Sequence, residues 1–296
     1  MPQTSAIAVP WTHRLERRHS IVASRVVIVV VVSLALWSYF WKPVGVLAIL
    51  ADLLLRPYLH FVAGAIAHEG THGHLGNSKA ANSWWGRLAL VPTGCAWITF
   101  AKTHHAHHAH TNVAGDDPDA FLHTTKKWQL PLRVLAMPHR WFHWLYVRGK
   151  VTRAVAVEYV LTYVAYVAIY GGIAAVVGPA RVLYGLLTAA FIHSFLLWVP
   201  FAIKTHEGYK TGPQEERSHN YYGYLPFFFS FSLSLHRVHH VKPKLSWLEM
   251  LRYVEPGTLW QSLTFRRDVG AHARASQDSR TVSWDRRRDL DAGVAG

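Results

Sequence analysis

The stretch VGVLAILADLLLRPYLHFVAGAIAHEGTH, residues 44–72, joins a long apolar segment directly to a pair of histidines. Its apolar part, Val44 to Ala67, is longer than the roughly 20 residues that a membrane-spanning helix needs. Asp52 and Arg56 interrupt this part four residues apart, so they share a helix face and are predicted to form an internal ion pair. The histidines that follow, at 68 and 72, have the same spacing. The stretch therefore predicts a span that ends in paired imidazoles at one membrane surface.

Three other segments are apolar enough to span a bilayer: Ile21 to Trp41, Ala154 to Val177 and Val182 to Ile203. The last two are separated only by Gly178-Pro179-Ala180-Arg181, which predicts a helical hairpin. The sequence thus predicts an all-α membrane protein with about four transmembrane helices and a cap that carries the histidines. We divide it into an N-terminal segment (1–20), a membrane domain (21–265) and a charged, flexible tail (266–296) that contains Arg286 to Arg288.

Two apolar stretches do not fit a simple span. The run from Trp84 to Phe100 is broken by Pro92 and Gly94, and we expect it to lie in the membrane interface or to re-enter the membrane from one side. The run from Leu225 to Leu235 is too short to cross as a helix. We place it in the interface. The polar region from residue 68 to residue 150 is predicted to be extramembrane, with short helices.

The composition agrees with a membrane protein. Hydrophobic residues make up 51% of the chain, with 13 Trp, while the mean hydropathy is only +0.09 because basic and apolar blocks alternate. The net charge of +14 comes without a nucleic-acid-binding motif, so anionic lipid headgroups are the expected partner and nucleic acid is not. Cys95 is the only cysteine, which excludes disulfides within the chain, thiolate zinc sites and cysteine-held iron–sulfur clusters.

Basic residues also predict the orientation. The turns after the first and third spans contain only Lys42 and Arg181, while almost all other Lys and Arg lie on the opposite side. Both termini and the histidine-rich regions are therefore predicted to be cytoplasmic. The first twenty residues are polar and basic and lack a small-residue cleavage site, so we expect no cleavable signal peptide.

Three clusters of histidine carry the chemistry. Each has the spacing that brings imidazoles onto one helix face: HEGTH from His68 to His72, HHAHH from His104 to His108, and HRVHH from His236 to His240. Lone histidines are expected to be structural instead, namely His60, His139, His143 and His193. The clustered imidazoles are too many for one tetrahedral zinc, so two metal ions are predicted. Because zinc has no redox chemistry, oxidation of an unactivated lipid C–H bond at this surface favours iron with dioxygen.

With its motifs HEGTHGHL, THHAHHAHTN and HRVHH, the last followed by Pro243 and Trp247, the chain resembles the membrane fatty acid desaturase superfamily. The resemblance covers about Val44 to Leu251, and the superfamily includes acyl-lipid desaturases and carotenoid hydroxylases and ketolases. It implies two non-haem irons, dioxygen as co-substrate and a set of eight ligands. These are His68, His72, His104, His107, His108, His236, His239 and His240.

Parts of this superfamily add a further histidine between the hairpin and the last box. Both His206 and His219 qualify, and we favour His219 because an asparagine, here Asn220, often accompanies that ligand. His74, His105 and His110 are expected to support ligands or to lie on the surface. The segment Asp116-Asp117-Pro118-Asp119 resembles a DPD motif of the carotenoid enzymes. It is predicted either to orient a ligand imidazole or to act only as a helix cap and turn.

The resemblance leaves the reaction open among desaturation, hydroxylation and ketolation. We favour a fatty acyl substrate, because the short first box resembles that of acyl-lipid enzymes, and keep a carotenoid as the alternative. A metal transporter is disfavoured, since its ligands belong near the middle of the spans. A zinc hydrolase is disfavoured because it uses fewer histidines. The chain has no dinucleotide or flavin fingerprint, so we expect an external electron donor such as a ferredoxin with its reductase.

Overall fold

The computed structural model describes residues 15–267 except residues 125 and 209. Its described part contains no β-strand, and the only ladder contacts there are the isolated bridges Asn220–Leu235 and Tyr221–Arg267. The α-helices are α1 (Arg17–Trp37), α2 (Val46–Thr71), α3 (Lys79–Leu90), α4 (Trp97–His110), α5 (Leu130–Val147), α6 (Arg153–Val177), α7 (Pro179–Ile192), α8 (Tyr224–Phe229), α9 (His236–Val241), α10 (Trp247–Met250) and α11 (Leu259–Leu263). The all-α prediction is confirmed. The predicted tail beyond residue 267, with Arg286 to Arg288, lies outside the described residues, as do residues 1–14.

Four helices are long and apolar enough to cross a membrane, as predicted: α1, α2, α6, and α7 together with its continuation to His206. Their bounds differ from the predicted ones. Helix α1 begins at Arg17 rather than Ile21, and α2 runs on to Thr71 and so includes the first histidine of the HEGTH box. Apolarity marks where a span can lie, but helical hydrogen bonding continues into the polar residues beyond it.

The predicted turn from Gly178 to Arg181 is shorter in the structure. Gly178 has φ of 93°, and α7 begins at the next residue, Pro179, whose missing N–H and fixed φ suit the first position of a helix. After α7 the chain continues as a π-helix, His193–Ile203, and a 3₁₀ turn, Lys204–His206. This continuation returns the chain to the end of the bundle where the histidine boxes lie, called here the histidine end.

The run from Trp84 to Phe100 folds as the end of α3, a tight turn and the start of α4. The Tyr166 hydroxyl donates to the carbonyl oxygens of Leu90 (3.1 Å) and Cys95 (2.7 Å), so the turn packs against α6. Tyr166 lies roughly 20 Å along α6 from Arg153, at 1.5 Å per residue. The turn between α3 and α4 is therefore held against the middle of α6, and both predicted alternatives for this segment stay predictions.

Tight packing fixes this hairpin to the end of α2. The Trp97 indole lies against Gly86 and Gly70, and a Cβ atom at Gly86 would be only 2.2 Å from the ring. Since Gly70 is inside the HEGTH box, the glycine at position 86 allows α3 and α4 to approach the first histidine pair. The first two boxes are brought together by this contact.

The predicted ion pair in α2 is confirmed. Arg56 donates to Asp52 across 2.6 Å, and both side chains are only 3% exposed. The guanidinium also donates to the Ser38 carbonyl oxygen and lies over the Tyr39 ring. The ion pair therefore joins the C-terminal end of α1 to the N-terminal half of α2, away from the histidine end.

The run from Leu225 to Leu235 forms α8 and an irregular turn. Phe229 stacks on Tyr58 of α2 with ring centroids 4.8 Å apart, and its carbonyl oxygen accepts from the Tyr58 hydroxyl. Phe231 and Ser232 then adopt left-handed backbone conformations, which reverse the chain direction just before His236. This turn aims the last histidine box back at the first two.

Candidate metal centre

The histidine end gathers imidazoles from four elements. The first box is at the end of α2, the second is the last half of α4, and the third is α9. To these the structure adds His206 from the 3₁₀ turn after the π-helix. All eight histidines predicted from the three boxes lie here, in two adjacent groups.

The five-histidine cluster consists of His68, His72, His104, His108 and His239, whose ligand nitrogens all lie within 4.8 Å of one another. The Nε2 of His104 is 2.8 Å from that of His72 and 2.9 Å from that of His108. His108 Nε2 is also 2.9 Å from His239 Nε2. Neither ring nitrogen of His68 has a hydrogen-bond partner, although both are buried.

The four-histidine cluster consists of His107, His206, His236 and His240, whose ligand nitrogens also lie within 4.8 Å of one another. His236 Nε2 is 2.8 Å from His206 Nε2 and 3.2 Å from His240 Nε2. The two clusters touch, because the rings of His108 and His240 stack with centroids 4.2 Å apart. They form one continuous patch of imidazole.

These distances fit bound metal. Two imidazole nitrogens that hold one ion at about 2.1 Å and at right angles lie about 3 Å apart, and the nitrogen pairs here are 2.8 to 3.2 Å apart. Two neutral imidazoles can share one hydrogen at most, so a ring of converging Nε2 atoms leaves acceptors without donors. A cation at the centre of each cluster would bind these unpaired acceptor nitrogens.

Burial keeps these imidazoles in the neutral form that binds metal. It lowers the pKa of His104 and His240 well below the usual value, and neighbouring imidazoles lower it further. The same causes act on the pKa of four further cluster members, namely His72, His108, His236 and His239. Neutral nitrogens need no deprotonation before they coordinate an ion.

His107 differs from the others because carboxylates lie beside it. Burial lowers its pKa, but Asp117 and Asp119 together raise it to about 9. Its Nδ1 is 2.9 Å from Asp117 Oδ1, and Asp117 also accepts from the backbone N–H groups of Asn112 and Asp119. Both predicted roles of the acidic segment therefore occur together: Asp117 caps a turn and orients an imidazole.

Asp119 lies at the edge of the same group. It accepts from the Trp141 indole at 2.8 Å and is 3.7 Å from His107 Nδ1. Burial raises the pKa of its carboxyl to about 6.

The outer nitrogens of two more members of the four-histidine cluster are also held. His206 Nδ1 is 3.1 Å from the Arg217 carbonyl oxygen. His240 Nδ1 is 3.3 Å from both Thr111 Oγ1 and the Gln214 amide nitrogen. The Arg217 and Thr111 oxygens can accept from Nδ1–H and so leave Nε2 free to face a metal, whereas the Gln214 amide nitrogen can only donate. Sequence reasoning missed Thr111 and Gln214, since nothing in their spacing marks them.

His219, favoured from the sequence as the ninth ligand, lies outside both clusters. Its backbone N–H donates to the Thr205 carbonyl oxygen at 2.7 Å, and its Nε2 is 2.7 Å from the Glu207 carbonyl oxygen. It thus holds the residues on either side of His206. Asn220 holds the third box in place, because its Oδ1 accepts from the backbone N–H groups of Arg237 and Val238 at the start of α9.

The remaining histidines have other surroundings. His74 is buried between Glu69 Oε2 and the Lys244 carbonyl oxygen, each 3.2 Å away, and Glu69 also accepts from the Trp247 backbone. Glu69 was missed although it lies within the HEGTH box. His105 is exposed with its ring 6.1 Å from that of His72. The other described histidines outside both clusters are His19, His60, His110, His123, His139, His143 and His193.

An apolar cavity reaches both clusters. It is lined by histidines of each, among them His68 and His236, and by aromatic and small residues of the bundle. Its apolar walls include Phe61, Phe100, Trp141, Trp198 and Phe201. The cavity, with a volume of about 50 Å³, therefore places apolar side chains directly beside the imidazoles.

Fold and site together define a helical protein with four helices able to span a membrane and two histidine clusters that could hold metal ions beside an apolar cavity. The family model of fatty acid desaturases matches residues 44–255, more than half of the chain. The chain belongs to this family, as the resemblance of its histidine boxes predicted. No curated protein matches it significantly.

Proposed function

We propose that this protein is a membrane-bound, O₂-dependent di-iron oxidoreductase that oxidises a long-chain lipid. Membership of the desaturase family and the two histidine clusters support the proposal. The proposed ligands are the eight histidines of the three boxes and His206, in place of His219. When bound, the two irons would pass electrons from the external donor to dioxygen, which is the oxidant for removing hydrogen from an unactivated carbon.

The observation that carries the proposal is the position of the apolar cavity against both clusters. Each buried methylene contributes about 0.8 kcal/mol, so an apolar lining favours a long chain over a small polar molecule. Phe100 and Trp141 on one side and Phe61 and Phe201 on the other would hold the chain and exclude water. His68, His104, His107, His206 and His236 border the same space.

The acidic residues assist the imidazoles. Asp117 holds His107 in one orientation and one tautomer, because its carboxylate accepts from Nδ1 and leaves Nε2 facing the cluster. Asp119 borders the cavity and is held by the Trp141 indole. Its carboxyl is therefore placed to exchange a proton with a group in the cavity.

Our preferred substrate is a fatty acyl chain, with desaturation or hydroxylation as the reaction. A carotenoid ring hydroxylase or ketolase, which would act as a monooxygenase, is the second candidate. The contact between Asp117 and His107 favours that alternative, since the DPD segment resembles the carotenoid enzymes.

Product analysis tests the function. The chain is expressed in a host that makes both fatty acids and carotene, with the His108→Ala variant as control, and lipid extracts are analysed. New unsaturated or hydroxylated acyl chains support the preferred reading, and oxygenated carotenoid rings support the alternative. If neither forms while a small water-soluble amine or acid is oxidised efficiently, the lipid assignment is wrong.

Two further parts of the proposal concern the surroundings. The histidine end and both termini face the cytoplasm, as the basic residues predict. Electrons come from a separate ferredoxin-like donor and its reductase. Sustained turnover by the purified protein with NADPH, oxygen and substrate alone would contradict the need for a donor.

A further inference from the structure

We infer that the two metal positions are inequivalent: the four-histidine cluster holds its ion tightly, and the five-histidine cluster exchanges its ion with solvent. The inference rests on the proposed two-iron function and concerns how this chain retains the metal. It follows from two independent observations, namely the contacts of the outer imidazole nitrogens and the exposure of the rings.

Outer contacts support the four-histidine cluster. Three of its four members have an oxygen acceptor at Nδ1: Asp117 for His107, the Arg217 carbonyl oxygen for His206, and the Thr111 hydroxyl for His240. These contacts hold each ring in its metal-binding orientation before the ion arrives. Loss of one such contact typically costs 10- to 100-fold in metal affinity.

The five-histidine cluster lacks this support. The buried Nδ1 atoms of His68 and His108 have no hydrogen-bond partner. For His72, His104 and His239, the contacts within the described residues involve Nε2, which faces the cluster. Its imidazoles are therefore oriented by packing alone, and each can rotate at smaller cost.

Exposure differs in the same direction. All four members of the four-histidine cluster are buried, whereas His72 and His108 are partly exposed. The exposed ring of His105 lies against His72 on this side. The five-histidine cluster is therefore nearer to solvent than the four-histidine cluster. One of its five ligands, His108, is itself among the partly exposed rings.

Metal release tests the inference. Protein loaded anaerobically with Fe²⁺ and freed of excess iron is mixed with a chromophoric Fe²⁺ chelator, and release is followed by absorbance. We expect two phases of one iron each, the first at least about 10-fold faster than the second. His72→Ala should remove the fast phase and keep the slow one.

The slow phase should depend on the outer contacts. Asp117→Asn, which keeps an oxygen for the turn but loses the charge, should accelerate it about 10- to 100-fold. Thr111→Val, which removes the hydroxyl beside His240 Nδ1, is a milder second variant with the same expected direction. Asp116→Asn is the matched control, because Asp116 is exposed and faces Arg148 at 3.7 Å, and it should change neither phase.

Release of both irons in one phase, or loss of the slow phase in His72→Ala, would overturn the inference while the two-iron function stands. A chain that takes up no iron, or a single metal ion only, would contradict the proposed function itself, and with it this inference. The two failures are therefore distinguishable by the total metal bound before the chelator is added.

Discussion

His206 and His236 face each other with their Nε2 atoms 2.8 Å apart, although they are 30 residues apart in sequence. The pair joins the end of the π-helix to the third histidine box. His206 is therefore within the four-histidine cluster, while His219 lies outside it and contacts the Glu207 carbonyl oxygen and the Arg237 guanidinium.

This arrangement predicts a difference between two single variants. His206→Ala should abolish activity and release at least one metal ion, because it removes a converging nitrogen. His219→Ala should keep the metal and retain part of the activity, since the lost contacts only position the loop around His206. Iron content and product formation of the two purified variants give the comparison. Metal loss in His219→Ala with full retention in His206→Ala would reverse the assignment.

The contact of Trp97 with Gly86 predicts a packing effect. Gly86→Ala places a methyl group 2.2 Å from the Trp97 ring and should destabilise the protein by about 1–3 kcal/mol, through overpacking between α3 and α4. Gly171→Ala is the matched control, because a Cβ atom there meets no other atom within 4 Å. The melting temperature in detergent measures both. Equal effects of the two variants would show that this contact does not hold the hairpin.

Metal-free protein should depend on pH in a defined way. Burial lowers the pKa of six cluster imidazoles, so below about pH 6.5 the unfolded chain binds protons that the folded chain does not. The stability of the folded protein therefore decreases as the pH is lowered below this value. The raised pKa of His107 acts oppositely: its stabilising contribution is present below about 6.5 and is lost as pH rises through about 9. We expect a maximal melting temperature between about pH 7 and 8. A flat profile from pH 5 to 9 would contradict this.

Orientation can be measured with single cysteines in a Cys95→Ser background. Positions 42 and 181 should react with a membrane-impermeant reagent added to intact cells, and position 126 should react only after lysis. Labelling at 126 but not at 42 in intact cells would refute the cytoplasmic placement of the histidine end.

Much of the fold followed from the sequence because apolarity and histidine spacing are local signals. The four spans and the convergence of the three boxes required no knowledge of distant contacts. Helix bounds were predicted less accurately. The apolar part of α2 ends at Ala67, but backbone hydrogen bonding continues the helix through His68 to Thr71.

The ninth histidine shows where local signals fail. Asn220 beside His219 suggested a ligand, but its side chain caps α9, a contact with residues 17 and 18 positions away. The choice between His206 and His219 depends on how the π-helix ends, which no spacing rule describes. Thr111 and Gln214 were missed for the same reason, because their contacts to His240 are formed only by the tertiary fold.

The most direct test of the two-iron assignment is elemental analysis of the purified protein, with chain concentration from quantitative amino-acid analysis. The nine converging histidines predict two irons per chain, lowered in His72→Ala, His108→Ala and His239→Ala. One zinc per chain and no iron would contradict the assignment.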